Sequence, residues 1–180
     1  MVTPNSTRLK SITLECLQGD ITRQPDMDAV VNAANAQLMS GGGVAGAIHS
    51  MAGPGLAREC EPLAPIRPGQ AVITGAHGLP NKHIIHCLGP VYGVDHPEEK
   101  LLASCYRSAL NLAETYSLTS IAFPAISTGA FGYPFREAAR ICVRTLADFN
   151  SYKSLQRIRI VLWNEKDRDM MQQTITEISD

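Results

Sequence analysis

Ala29 to Val31 is a short apolar, β-branched run that stops at Asn32-Ala33-Ala34-Asn35, and Gly41-Gly42-Gly43-Val44-Ala45-Gly46 then opens a helix-like stretch. No other feature restricts the fold so much. The order is a buried strand, a loop at its carboxyl end, and a helix N-terminus. In α/β folds, ligands bind in the crevice outside the carboxyl ends of the strands. The first N–H groups of a helix have no intrahelical partner, and the helix dipole favours negative charge there. Three glycines let the backbone come close to a ligand. The stretch therefore reads as an anion site, for a diphosphate. Asparagine and glycine also make ordinary turns. Two asparagines and three glycines in one short loop exceed what a turn needs.

From Gly43 the positions Val44, Ala47, Ile48, Met51 and Ala52 keep helical spacing, and Gly53-Pro54-Gly55 stops that helix. His49 on this helix reads as a packed or surface histidine. The same logic recurs later. Ser120-Ile121-Ala122-Phe123 is a short strand stopped by Pro124, and Ala125-Ile126-Ser127-Thr128-Gly129-Ala130-Phe131-Gly132-Tyr133-Pro134 follows it. Pro134 suits the first turn of a helix with Phe135, Ala138, Ala139, Cys142, Leu146 and Phe149 on its inner face. Two such loops can converge on one diphosphate from both sides.

Ser11 to Leu17 alternates, with Ile12, Leu14 and Cys16 on one face and Thr13 and Glu15 on the other. This predicts a half-buried strand near an edge. Gln70 to Ala76, His83 to Leu88 and Arg157 to Trp163 are further strands. Leu56 to Leu63, Glu98 to Ser117 and Glu165 to Ile178 are helices. Alternating strands and helices predict an α/β fold with the sheet covered on both faces. The sheet is expected to be mixed, with its N-terminal strand antiparallel to its neighbour. A length of 180 residues suits one domain, spanning residues 1–180.

The formal net charge of -1 argues against binding nucleic acid through net positive charge. The first ten residues contain no apolar leader region, and no stretch is apolar enough to span a bilayer. The expected compartment is the cytoplasm, with no membrane partner. Cys16, Cys60, Cys87, Cys105 and Cys142 are scattered, odd in number and without C-x-x-C, so they read as buried, reduced thiols. His83 and His86 sit three apart on one strand and point to opposite faces, so they cannot chelate together. Neither a metal nor a cofactor is expected. Gly41-x-Gly43-x-x-Gly46 matches the dinucleotide fingerprint, but Asn32 through Ser40 separate it from the strand that it should directly follow. There is no G-x-x-x-x-G-K-[ST] and no G-x-S-x-G.

A wider set of motifs occurs in order: Gly19-Asp20-Ile21-Thr22, Val31-Asn32-Ala33-Ala34-Asn35, Gly41-Gly42-Gly43-Val44, Ile48-His49, Ala52-Gly53-Pro54, Ile85-His86, Gly89-Pro90, and Phe123-Pro124 through Pro134. With these the chain resembles the macrodomain family, most of all its MacroD-type branch. The resemblance implies a three-layer α/β/α fold with a mixed, mostly parallel central sheet. It implies binding of ADP-ribose, and hydrolysis of ADP-ribosyl esters: mono-ADP-ribosylated Glu or Asp on proteins, or O-acetyl-ADP-ribose.

Carried over by position, Asp20 would accept from the adenine amine with Ile21 beside it. An ionised carboxylate only accepts hydrogen bonds. From local sequence alone Asp20 reads first as a turn cap. Trp163 would lie against the adenine, or else pack in the core. Gly42, Gly43, Val44, Ser127, Thr128, Gly129, Ala130 and Phe131 would cradle the diphosphate and distal ribose. Asn35 would hydrogen-bond a distal-ribose hydroxyl and is the expected catalytic residue, with Asn32 supporting the loop. One departure stands out. MacroD-type enzymes commonly carry Asp, associated with positioning or activating water, where this chain has Ala45. The alternative is therefore a reader that binds ADP-ribose or mono-ADP-ribosylated proteins without turnover. A nicotinamide-dependent oxidoreductase would need a substrate domain for which the chain is short.

Overall fold

The computed structural model describes residues 4–180, so the first three residues of the N-terminal segment considered above lie outside it. The strands are β1 (Asn5–Leu9), β2 (Ile12–Gln18), β3 (Ala29–Ala33), β4 (Ala71–Gly75), β5 (His83–Cys87), β6 (Ser120–Phe123) and β7 (Arg157–Leu162). The helices are α1 (Gly43–Ala52), α2 (Pro54–Cys60), α3 (Glu98–Thr115), α4 (Phe135–Asp148) and α5 (Glu165–Ser179), with a 3₁₀ turn at Glu61–Leu63. One sheet forms in the order β1-β2-β7-β6-β3-β5-β4. Its five central strands run parallel, and β1 and β4 are antiparallel edges.

The mixed, mostly parallel sheet is as expected, but the antiparallel partner differs. Ile12–Gln18 lies second from the edge, parallel to β7 and antiparallel to β1. The β1 strand carries no alternation that would announce it. Its only buried side chain is Leu9, and its regularity comes from pairing with β2. The β3 strand also runs past Asn32 to Ala33, because Asn32 is itself a buried strand residue. Pro134 sits one position earlier than expected, at the N-cap of α4.

Successive residues of each central strand face opposite layers. Val30, Ile84, Ala122 and Val161 pack with Ile48 and Leu56 of α1 and α2. Val31, Ile85, Ile121 and Ile160 pack with Leu102, Tyr106, Cys142, Leu146 and Met171 of α3, α4 and α5. All five cysteines are buried and unpaired.

Two polar devices lie inside these layers. Glu15, expected on a solvent face, is buried because Arg159 on the neighbouring strand meets it at 2.7 Å. The same guanidinium holds Asp26 at 2.7 Å and Gln24, pinning the loop before β3. The second device is His86. Its Nδ1 accepts from Asn32 Nδ2 at 3.0 Å and its Nε2 donates to Thr74 Oγ1 at 2.9 Å, since Thr74 spends its own proton on the carbonyl of Gly75. Burial holds the imidazole neutral, with its pKa down at about 4.

That depression has a consequence for stability. In the unfolded chain a histidine titrates near 6.5. Between pH 6.5 and 4 the unfolded chain binds a proton that folded His86 refuses. Stability from this group is complete above pH 6.5 and is lost as pH falls through about 4. The loss approaches roughly 3 kcal/mol. Urea unfolding of the parent and of His86→Gln between pH 7.5 and 4.5 checks this. The parent's slope should flatten in the variant, and equal slopes would reject the assignment.

Candidate functional site

A cavity of about 480 Å³ opens at the carboxyl ends of β3, β6 and β7. One wall is the stretch after β3, with Asn35, Gly42, Gly43, Val44 and Ala45. The facing wall is Pro124 to Phe131, after β6. Val161, Leu162 and Trp163 of the β7 end close one side, joined by Asp167 from the first turn of α5.

Both long walls present unpaired backbone donors. Among the described residues, the N–H groups of Gly42, Gly43, Val44 and Ala45 have no acceptor, and the first turn of α1 closes only with Gly46 N–H on Gly42 O. The N–H groups of Gly129, Ala130 and Phe131 are likewise free. Gly42, Gly43, Gly129 and Ala130 are exposed to the open cleft, so these donors are free to meet a ligand, and two donor sets flanking one cleft mark where an anion fits.

The sequence shapes both walls locally. Gly43 has φ +57°, a left-handed conformation that glycine adopts freely. Gly42 is extended at φ −81°, and a Cβ there would meet nothing within 4 Å. Gly46 is different, since a Cβ on it would collide with the carbonyl oxygen of Gly41. On the facing wall, Ser127 is held at φ +68°, unusual for a residue with a Cβ. Its hydroxyl donates to Pro90 O at 2.8 Å, and Gly89 leaves the room that its side chain occupies. Tyr92 N–H donates to Phe131 O at 2.8 Å. The segment after β5 thus braces the segment after β6.

Of the expected site residues, Asn35, Gly42, Gly43, Val44, Ser127, Thr128, Gly129, Ala130, Phe131 and Trp163 line this one cavity. Asn35 Nδ2 donates to Met39 O at 2.8 Å, and its Oδ1 accepts from Met39 N–H at 3.0 Å. One amide proton and one lone pair remain for a ligand. Trp163 does not pack in the core. It is 78% exposed and lines the cavity. Asn32 is buried in β3 behind the loop.

Asp20 and Ile21 do not line the cavity. Ile21 is buried in the α1–α2 layer. Asp20 caps a turn, its Oδ1 accepting from Thr22 N–H at 2.8 Å and Thr22 Oγ1 at 2.7 Å. The strand register sets Asp20 just past the end of β2, where Gly19 N–H donates to Leu162 O at the end of β7. Ala45 is buried at the cavity wall with no carboxylate near its position. Among the lining residues Asp167 alone is charged. Sequence reading missed it because an acid in the first turn of a helix looks like an ordinary complement to the dipole.

The chain matches the family model described as Macro domain over residues 31–142. An O-acetyl-ADP-ribose deacetylase of Salmonella typhimurium is 46% identical to it over 173 residues, 93% of this chain and 96% of that protein. A macro domain-containing protein of Caldanaerobacter subterraneus subsp. tengcongensis is 42% identical over 170 residues, 92% and 97% of the two chains. Among solved structures, an Oceanobacillus iheyensis macrodomain with ADP superposes with a TM-score of 0.92 at 38% identity, covering 98% of this chain and 96% of that one. A Trypanosoma brucei macrodomain in complex with ADP-ribose gives 0.81 at 34% identity, covering 93% and 70%.

Proposed function

This chain belongs to the macrodomain family, and from that premise we propose that it binds ADP-ribose in the cleft between its two glycine-containing walls and hydrolyses ADP-ribosyl esters. The carrying observation is the pair of unpaired N–H sets, Gly42 to Ala45 and Gly129 to Phe131, facing one cavity. A diphosphate satisfies both sets at once. The macrodomain fold of solved relatives with ADP or ADP-ribose supports the ligand. The deacetylase names of relatives 46% identical over most of the chain support the reaction.

In this reading the diphosphate lies across the glycine walls, the distal ribose reaches Asn35, and the adenosine end lies at Trp163. The substrates are O-acetyl-ADP-ribose and proteins carrying ADP-ribose on Glu or Asp. Hydrolysis adds water across the ester and releases a carboxylic acid and ADP-ribose. The chain's part is to fix the distal ribose through Asn35 and the backbone donors, so that water meets a preoriented ester. Positioning of this kind supplies a large share of many rate enhancements. Among the residues lining the cavity, none at that end carries a general base.

The reading without turnover has one observation in its favour. Ala45 gives the distal-ribose end no carboxylate, and the only carboxylate lining the cavity, Asp167, comes from the first turn of α5 on the β7 side. Calorimetric titration with ADP-ribose and single-turnover release of ADP-ribose from a glutamate-modified protein separate the two. Binding with release supports the hydrolase, binding without release leaves a reader, and no binding removes both.

At the adenine end, Asp20 Oδ1 caps its turn, and Oδ2, which faces Arg23 Nε at 3.8 Å, is left for the amine. Asp20→Ala is expected to weaken ADP-ribose binding about tenfold to a hundredfold, the worth of a charge-assisted hydrogen bond. Unchanged calorimetric affinity in a folded Asp20→Ala protein would remove Asp20 from the site.

A further inference from the structure

We infer that Asp167 makes the adenosine end of this cavity reject a phosphate on the adenosine-side ribose, so that the chain takes ADP-ribose and discriminates against its 2′-phosphorylated form. The inference rests on the ADP-ribose reading of the site and adds a rule for which ADP-ribose derivatives enter.

The diphosphate cradle fixes the direction of the ligand. Its donors lie on Gly42 to Ala45 and Gly129 to Phe131. The apolar wall of Val161, Leu162 and the exposed Trp163 lies to one side and suits a flat base. The ribose joining base to diphosphate must lie between them. Asp167, in the first turn of α5 just after that wall, is the only charged side chain lining the cavity.

The carboxylate is fixed in place and not neutralised. Asn164 Nδ2 donates to Asp167 Oδ2 at 2.9 Å, and Asp167 N–H donates to Asn164 Oδ1 at 2.8 Å. Its other oxygen has no hydrogen-bond partner among the described residues. The nearest arginine in sequence is spent elsewhere, Arg168 pairing with Asp169 at 2.6 Å and Glu165 at 3.3 Å. None of the ion pairs among the described residues includes Asp167. The N-terminus of α5 would by itself attract an anion, but Glu165 and Asp167 already answer it from its first turn.

A free carboxylate oxygen accepts a hydrogen bond from a ribose hydroxyl. A phosphate in that hydroxyl's place offers no proton and brings like charge. Repulsion at close range in a half-enclosed site is worth about tenfold or more in affinity.

The test is calorimetric titration of the full chain with ADP-ribose and with ADP-ribose 2′-phosphate, for the parent, Asp167→Asn and Asp167→Ser. The parent should prefer ADP-ribose by about tenfold, and salt should narrow the gap. Both variants remove the charge while keeping an acceptor for Asn164. In a folded variant the two ligands should come within about threefold of each other, mainly because the phosphorylated one binds better. A parent without preference, or a preference that survives in both variants, overturns the inference while ADP-ribose binding stands. A parent that binds neither ligand overturns the reading of the site, and this inference with it.

Discussion

Gly42→Val is expected to weaken ADP-ribose binding about a thousandfold and to leave the fold standing. Gly42 is extended, at φ −81° and ψ 175°, so valine meets no backbone conflict there. Its Cβ would also meet no protein atom within 4 Å. The space it enters belongs to the cavity. The added methyl groups must displace the diphosphate from the N–H groups of α1's first turn. Crowding costs about 1–3 kcal/mol, and each charge-assisted bond lost costs about 1.5–3 kcal/mol. Together they predict a loss of about a thousandfold in affinity, with a melting temperature near the parent's. Calorimetry and a thermal melt decide it. Normal binding by Gly42→Val would reduce the glycine wall to a plain turn. Gly46→Ala should behave differently, because the collision there is with protein backbone rather than with ligand.

Ala45→Asp is expected to raise the turnover of ADP-ribosyl esters by about a hundredfold or more, the usual reach of a positioned general base. Ala45 stands in the first turn of α1, which holds no acidic residue. A carboxylate there complements the helix dipole and borders the space assigned to the distal ribose. It can orient or deprotonate water. Binding weakens slightly, because the new charge lies near the diphosphate. Asn35→Ala is the companion variant. If catalysis rests on orientation, this substitution lowers single-turnover release more than it lowers affinity. Asn35 also bonds both backbone groups of Met39, so a loss confined to stability, with release and affinity intact, would confine Asn35 to a structural part. No release by the parent with a clear gain in Ala45→Asp would make the natural chain a reader.

The parts of this molecule legible in its sequence are those where local pattern and tertiary role agree. Ile121–Phe123 is apolar throughout because it is buried on both faces, and the strand Ser120–Phe123 has the bounds expected. The glycine wall is legible at Gly43, whose left-handed backbone few residues adopt, and at Gly46, where a Cβ would strike the Gly41 carbonyl. Other parts depend on neighbours remote in sequence. Asn5–Leu9 becomes a strand because β2 offers an edge. Glu15 is buried because Arg159 stands opposite it on β7, and nothing around Glu15 says so. Asp167 reaches the cavity because α5 begins directly after the β7 end, a fact of topology rather than of composition. Asp20 shows the converse. Its two readings, turn cap and ligand acceptor, use different oxygens of one carboxylate, so local sequence had no means of choosing between them.

The opposite end of the sheet carries a different load. There Asp26 ties the loop before β3 to Arg157 and Arg159, while Asp28 bonds Thr119 ahead of β6 and Lys82 ahead of β5. The entrances of the strands are fastened by carboxylates, and their exits carry loops with donors to spare. Such a scaffold uncouples inheritance from recognition. The exits can accept substitutions that change what is held, while the fastened entrances preserve the frame on which each new variant is displayed.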